Sequence, residues 1–167
     1  MKYIIILLLS NLSFSLLAKP CEFTWKNKPE DSKYTEQYSI KTNIEGHAIR
    51  IFKLESNFKD FKKNCEDLVA VSSKLWGYSD YTYKNGSVSG YWTRVYEDGS
   101  TMSGTWSGSA QFPKDQGENS LIISSSVITG GTGAYLKVKG YGIGKGEFNP
   151  GTGFTSNSNT IFYSISK

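Results

Sequence analysis

The chain reads as an all-β protein, an antiparallel closed or nearly closed barrel of about eight strands, on three observations. From Gly77 to Lys167, short runs rich in Tyr, Val, Ile, Thr and Ser are separated by turn residues, and no window there carries a helical period. Sixteen of the 17 glycines lie in that same stretch, whereas 19 of the charged side chains lie between Lys19 and Asp67. Where a run can be assigned two faces, glycines gather on one: Ala134, Leu136, Val138, Gly140 and Gly142 alternate with Tyr135, Lys137, Lys139 and Tyr141. Small residues on an inward face suit a narrow interior, and closing the sheet removes its exposed edges. A two-sheet β-sandwich is the alternative.

Residues 1–18 have the form of a secretory signal peptide, with Lys2 as the positive start, the aliphatic run Ile4 to Leu9, and Leu16-Leu17-Ala18 ending on the small residue a signal peptidase requires. Ser10, Asn11, Ser13 and Ser15 break the apolar run, so it is too short for a membrane span. Cleavage near Ala18 leaves residues 19–167 as a single barrel domain, exported to the periplasm or secreted, with no membrane span in the mature chain. Its only cysteines are Cys21 and Cys65. In an oxidising compartment they are expected to form a disulfide that pins the mature N-terminus.

The first strands are read at Tyr34 to Ile44 and Ala48 to Leu54, joined near Glu45-Gly46. Phe58, Phe61, Cys65, Leu68 and Val69 follow at helical spacing after Ser56-Asn57, so residues 56–65 form either a short helix or an irregular loop. Asn85-Gly86 and Asp98-Gly99 then carry the residue pairs preferred in type I′ hairpins. They imply a meander of strands at Leu75 to Lys84, Ser87 to Tyr96 and Ser100 to Gln111, followed by a polar loop at Phe112 to Asn119. A strand at Leu121 to Thr129, a turn at Gly130-Gly131-Thr132-Gly133, a strand at Ala134 to Phe148 ended by Asn149-Pro150-Gly151, and a last strand at Thr160 to Ile165 complete the chain.

The segments Tyr96-Glu97-Asp98-Gly99-Ser100 and Ile128-Thr129-Gly130-Gly131-Thr132-Gly133-Ala134-Tyr135, with Lys139-Gly140-Tyr141-Gly142, resemble the bacterial exported proteins of the allene oxide cyclase barrel-like group, related in architecture to the dirigent proteins. The resemblance implies an eight-stranded antiparallel barrel whose interior can hold a small apolar molecule. In the cyclases that interior isomerises a fatty-acid epoxide, and in dirigent proteins it directs phenoxy-radical coupling. The catalytic residues of the cyclases have no counterpart that can be aligned on this chain, so the resemblance describes a scaffold and assigns no reaction.

Several chemistries are excluded from the residues alone. His47 is the only histidine, which rules out a histidine-built metal site, and it sits beside Gly46 at the expected turn. No carboxylate cluster is dense enough for a calcium loop, and neither a metal nor a cofactor is expected. The sequences Gly86-Ser-Val-Ser-Gly90 and Gly104-Thr-Trp-Ser-Gly108 misplace the serine of a nucleophile elbow. The glycine runs at 130–133 and 140–146 match no phosphate-binding pattern. Glu97 and Asp98 are adjacent and point to opposite faces of a strand, and Asp115 and Glu118 fall in the polar loop. A net charge of +3 on the mature chain, spread along its length, leaves no basic footprint for nucleic acid.

One constellation remains. In the strand from Ser87 to Tyr96, Val88, Gly90, Trp92, Arg94 and Tyr96 share a face, as do Met102, Gly104, Trp106 and Gly108 in its neighbour. With both faces inward, Trp92, Tyr96 and Trp106 line an aromatic cavity in which Arg94 can meet an anion. With both faces outward, Tyr91 and Val95 form the core side and Arg94 is a solvated charge. The expected function is non-covalent binding of a small apolar or aromatic molecule. The alternatives are an isomerase or coupling-directing enzyme of the cyclase and dirigent type, and an envelope or secreted interaction module whose barrel is packed solid.

Overall fold

Nine antiparallel strands form one sheet in the computed structural model, which describes residues 20–112, 119–149 and 153–166. They are β1 (Cys21–Asn27), β2 (Ser32–Lys41), β3 (His47–Asn57), β4 (Ala70–Thr82), β5 (Asn85–Tyr96), β6 (Thr101–Gln111), β7 (Ser120–Thr132), β8 (Val138–Asn149) and β9 (Gly153–Ile165). The order across the sheet is β1-β9-β8-β7-β6-β5-β4-β3-β2. Its two edges are therefore consecutive in the chain, joined by the single 3-10 turn Pro29–Asp31. β2 comes alongside β9 without pairing with it, and residues from all nine strands line one interior cavity, so the sheet wraps into a barrel left open by hydrogen bonds only between β1 and β2. Register shifts in the β2–β3, β4–β5, β6–β7 and β8–β9 pairings supply bends of the kind such curvature needs. Residues 1–19, where a signal peptide is expected, residues 113–118 with Asp115 and Glu118, and residues 150–152 lie outside the described residues.

Eight of these strands correspond to those read from the sequence, and β1 is additional. Cys21, Phe23 and Trp25 alternate with Glu22, Thr24 and Lys26, and the first set is buried. Residues 56–65 contain no helix: β3 runs to Asn57, and the chain then forms a loop stitched by a bridge between Lys63 and Val69.

The turns obey local geometry more than residue pairs suggest. Between β4 and β5 the two left-handed residues are Tyr83 (φ 50°) and Lys84 (φ 67°), with Thr82 opposite Asn85, so the type I′ turn lies two residues before Asn85-Gly86. Gly86 is instead part of β5, where a Cβ would sit 2.0 Å from the Asp80 carbonyl oxygen. Asn85 braces the turn, its amide donating to the Tyr83 carbonyl (2.8 Å) and accepting from the Phe112 N–H (2.8 Å). At Asp98-Gly99 the expected position is right, but only Gly99 (φ 82°) is left-handed. The Gly99 N–H donates to Tyr96 and the Tyr96 N–H to Ser100, which is a type I turn closed by a glycine bulge.

The inward face proposed for residues 134–142 holds only from Val138 onward. β7 continues through Gly130, Gly131 and Thr132, and the turn falls at the 3-10 segment Gly133–Tyr135. Left-handed backbone at Gly133 (φ 58°) and Lys137 (φ 63°) breaks the two-residue period. Tyr135 thereby turns fully inward, and Leu136 points out at 62% exposure, the reverse of strict alternation. Beyond the turn Val138 and Gly142 are inside and Tyr141 outside.

One half of the barrel is packed solid. Phe23, Ala70, Tyr96, Met102, Ile128, Tyr135, Val138 and Tyr163 form a continuous buried cluster, and Phe58, Phe61 and Leu68 of the β3–β4 loop close over it. The Cys21–Cys65 disulfide ties that loop to the start of β1. On a chain-entropy basis a bridge of this span contributes about 4 kcal/mol. Asn64 organises the loop, its side-chain oxygen accepting from the N–H groups of Glu66 (3.1 Å) and Leu68 (3.2 Å) while its amide donates to the Tyr135 hydroxyl. Glu66 accepts from the Tyr163 hydroxyl. Burial raises the pKa of both tyrosines, so they stay protonated in these bonds.

Candidate functional site

The other half of the barrel holds a cavity of about 140 Å³. It exists because inward glycines let aromatic rings lie against the wall. A Cβ on Gly77 would stand 2.2 Å from the Phe52 ring, and one on Gly104 would stand 2.8 Å from the Trp92 ring. Trp25, Phe52, Trp92 and Trp106 supply the aromatic lining, and Leu54, Leu75, Val88, Ile122 and Ile161 supply aliphatic surface.

The residues singled out in the sequence are divided by the structure. Trp92, Arg94 and Trp106 line the cavity, whereas Tyr96 lies beyond Arg94 in the packed cluster, its ring 4.3 Å from that of Tyr135. Tyr91, on the opposite face of β5, is 67% exposed. The sequence reading missed Trp25 and Asn27 of β1, Tyr34 of β2, Arg50 of β3 and Tyr81 of β4, all of which reach the same space. Cys21-x-Phe23-x-Trp25 is the period-2 signal that would have revealed the first of these.

Arg94 forms the boundary between the packed half and the cavity. It is 6% exposed, its guanidinium carbon sits 4.0 Å from the centre of the Trp25 ring, and Phe61 lies 5.6 Å away. Tyr96 is its hydrogen-bonded neighbour, but Nε and Nη1 have no partner, and among the described residues no carboxylate pairs with it. Burial pushes its pKa down from the usual arginine value. The cation–π contact recovers about 2 kcal/mol of the desolvation cost, well short of what a buried unpaired charge requires.

Arg50 is placed differently. Its guanidinium lies over the Tyr34 (5.1 Å) and Phe52 (4.8 Å) rings and donates to Gln37 Oε1 at 3.0 Å and to the Tyr34 hydroxyl at 3.4 Å. Burial pushes the Tyr34 and Tyr81 hydroxyls up to about 12, so both are protonated donors at neutral pH and neither is a base. The described lining contains two arginines and no Asp, Glu, Lys or His.

His47 is outside the cavity. It bridges the β2–β3 turn to β4, with Nδ1 2.7 Å from Thr42 Oγ1 and Nε2 2.6 Å from Asp80 Oδ1. Asp98 also has a structural role. It accepts from the Ser100 N–H (2.9 Å) and hydroxyl (2.7 Å), which holds its carboxyl below the usual carboxylate range, and Ser100 Oγ accepts from the Ala134 N–H at 2.9 Å. The two turns that carried the family resemblance are thus bonded to each other. No group of three or more His, Cys, Asp or Glu side chains among the described residues could hold a metal ion.

No family model matches the sequence, and no curated protein is similar to it by sequence. Solved structures are similar in fold. One pterocarpan synthase dirigent protein superposes with a TM-score of 0.50 at 14% identity, over 90% of this chain and 94% of its own. A second pterocarpan synthase dirigent protein gives a TM-score of 0.50 at 17% identity, over 89% of this chain and 97% of its own. The fold is dirigent-like. That likeness spans almost the whole of both partners, so it describes the complete barrel rather than a shared hairpin, and at these identities it speaks for architecture alone.

Proposed function

We propose that this dirigent-like barrel is exported and binds a small apolar or aromatic molecule in the cavity beside Trp25, Trp92, Arg94 and Trp106. The observation that carries this reading is the division of the interior into a packed half and a half shaped around a ring-lined cavity. An interaction module needs a solid barrel and nothing more, whereas this chain places glycine opposite Phe52 and Trp92 and leaves room between them. The disulfide supports export, because thiols pair stably in oxidising compartments. Among the described residues no helix is long and apolar enough to cross a membrane.

A second reading, a catalyst of the dirigent type that directs the coupling or closure of a phenolic substrate, is supported by the fold and by the protonated Tyr34 and Tyr81 hydroxyls at the cavity wall. The absence of a carboxylate or histidine from the described lining favours binding over proton-transfer chemistry. Native mass spectrometry of protein isolated from its source, combined with a thermal-shift screen of small aromatic compounds, tests the binding reading. A co-purifying small molecule or a ring compound that raises Tm supports it. Protein free of any adduct, with an unmoved Tm across the panel, contradicts it.

A further inference from the structure

Among the described residues, five buried side-chain atoms lack a hydrogen-bond partner: Trp25 Nε1, Asn27 Oδ1, Arg94 Nε, Arg94 Nη1 and Trp106 Nε1. All five belong to residues that line the cavity described above. Buried polar atoms in folded proteins are satisfied in the large majority of cases, so four unpaired donors on residues that line one space mark a partner that enters it. Four of the five are N–H donors, and one donor group carries a full positive charge. The partner must therefore offer acceptor atoms and negative charge.

Its charge and size can be narrowed. Arg50 is engaged by Gln37 and Tyr34, which leaves Arg94 as the cation with unused donors, so one negative charge is matched and two are not. About 140 Å³ falls well below the roughly 300 Å³ and upward of drug-sized pockets, and is close to the roughly 150 Å³ of a cavity that accepts benzene. We infer that the ligand is a one-ring aromatic monocarboxylate, its carboxylate held by Arg94 with the Trp25 and Trp106 indole N–H groups, and its ring in the aromatic part of the cavity. This inference rests on the reading of the cavity as a binding site and adds the chemical class of the ligand.

The test compares benzoate with benzamide, which has the same shape and no charge, by titration calorimetry and tryptophan fluorescence on the unaltered protein. Benzoate is expected to bind at least about 30-fold more tightly, the lower end of what losing one partner of a buried charge pair costs. Arg94→Met is expected to abolish that preference while raising the Tm of the ligand-free protein, and Arg94→Lys to retain part of it. Equal binding of benzoate and benzamide overturns the acid assignment but leaves the cavity a binding site. Binding of neither compound, nor of any other ring compound, overturns the binding reading itself. A preference for benzoate that survives Arg94→Met overturns the role given to Arg94. The ratio on the unaltered protein decides the question even if the variants do not fold.

Discussion

The packed half and the cavity half of this barrel are built from the same strands, yet they satisfy their buried polar groups in opposite ways. In the packed half the Tyr135 hydroxyl is bonded to Asn64, that of Tyr163 to Glu66, and that of Ser100 to Asp98 and Ala134. Arg94 and Trp25 stand at the boundary, and on their other side the unpaired donors begin. One half thus completes its hydrogen bonding within the chain, while the other leaves four buried donors without a partner among the described residues. On the binding reading proposed above, that difference separates groups that hold the barrel together from groups that meet a ligand.

The largest expected effect lies in the packed half. Replacing Cys21 and Cys65 by serine releases the loop that caps it and should lower stability by about 4 kcal/mol, a fall in Tm of about 10 °C or more. Reversible thermal unfolding under oxidising and reducing conditions measures it, and identical curves would show that the loop is held without the bridge. Next in size is a paired truncation. Met102 is 0% exposed in the packed cluster, whereas Leu75 faces the cavity. Met102→Ala should cost about 3 kcal/mol, and Leu75→Ala about 1 kcal/mol, since the second side chain already has space on one side. Equal losses in urea unfolding would erase the distinction between the halves.

A smaller effect is set by pH. Burial raises Tyr34 and Tyr81 from 10.0 to about 12, so in alkali the unfolded chain ionises first. The stability these two groups contribute is fully present below pH 10 and is lost as pH rises through about 12. Tyr34→Phe and Tyr81→Phe should flatten the decline, read as unfolding free energy against pH. Unchanged slopes would place both hydroxyls in solvent.

How much of this was legible in the sequence depends on whether a feature is local. Strands β2 to β9 announce themselves by β-branched and aromatic runs between turn residues, and alternation along β5 and β6 puts Trp92, Arg94 and Trp106 on one face. Turn register is less local. Asn85-Gly86 has the composition of a type I′ turn but lies in β5, because Gly86 is needed where the strand passes the Asp80 carbonyl. The inward swing of Tyr135 depends on left-handed backbone at Lys137, which no residue preference announces. The remaining cavity residues, Trp25, Tyr34, Arg50 and Tyr81, sit on strands far apart in sequence, and only the closing of the sheet brings them together.

The central claim is that the two halves differ in having, or lacking, a place for a ligand. Chemical-shift mapping by NMR with benzoate tests it most directly, because tryptophans report from both sides of the barrel wall. The indole N–H resonances of Trp25 and Trp106 should move on titration, while that of Trp76, on the outer face, and the backbone amides of Met102 and Tyr135 in the packed half stay in place. Shifts confined to Trp76, or an unchanged spectrum at saturating benzoate, would contradict it.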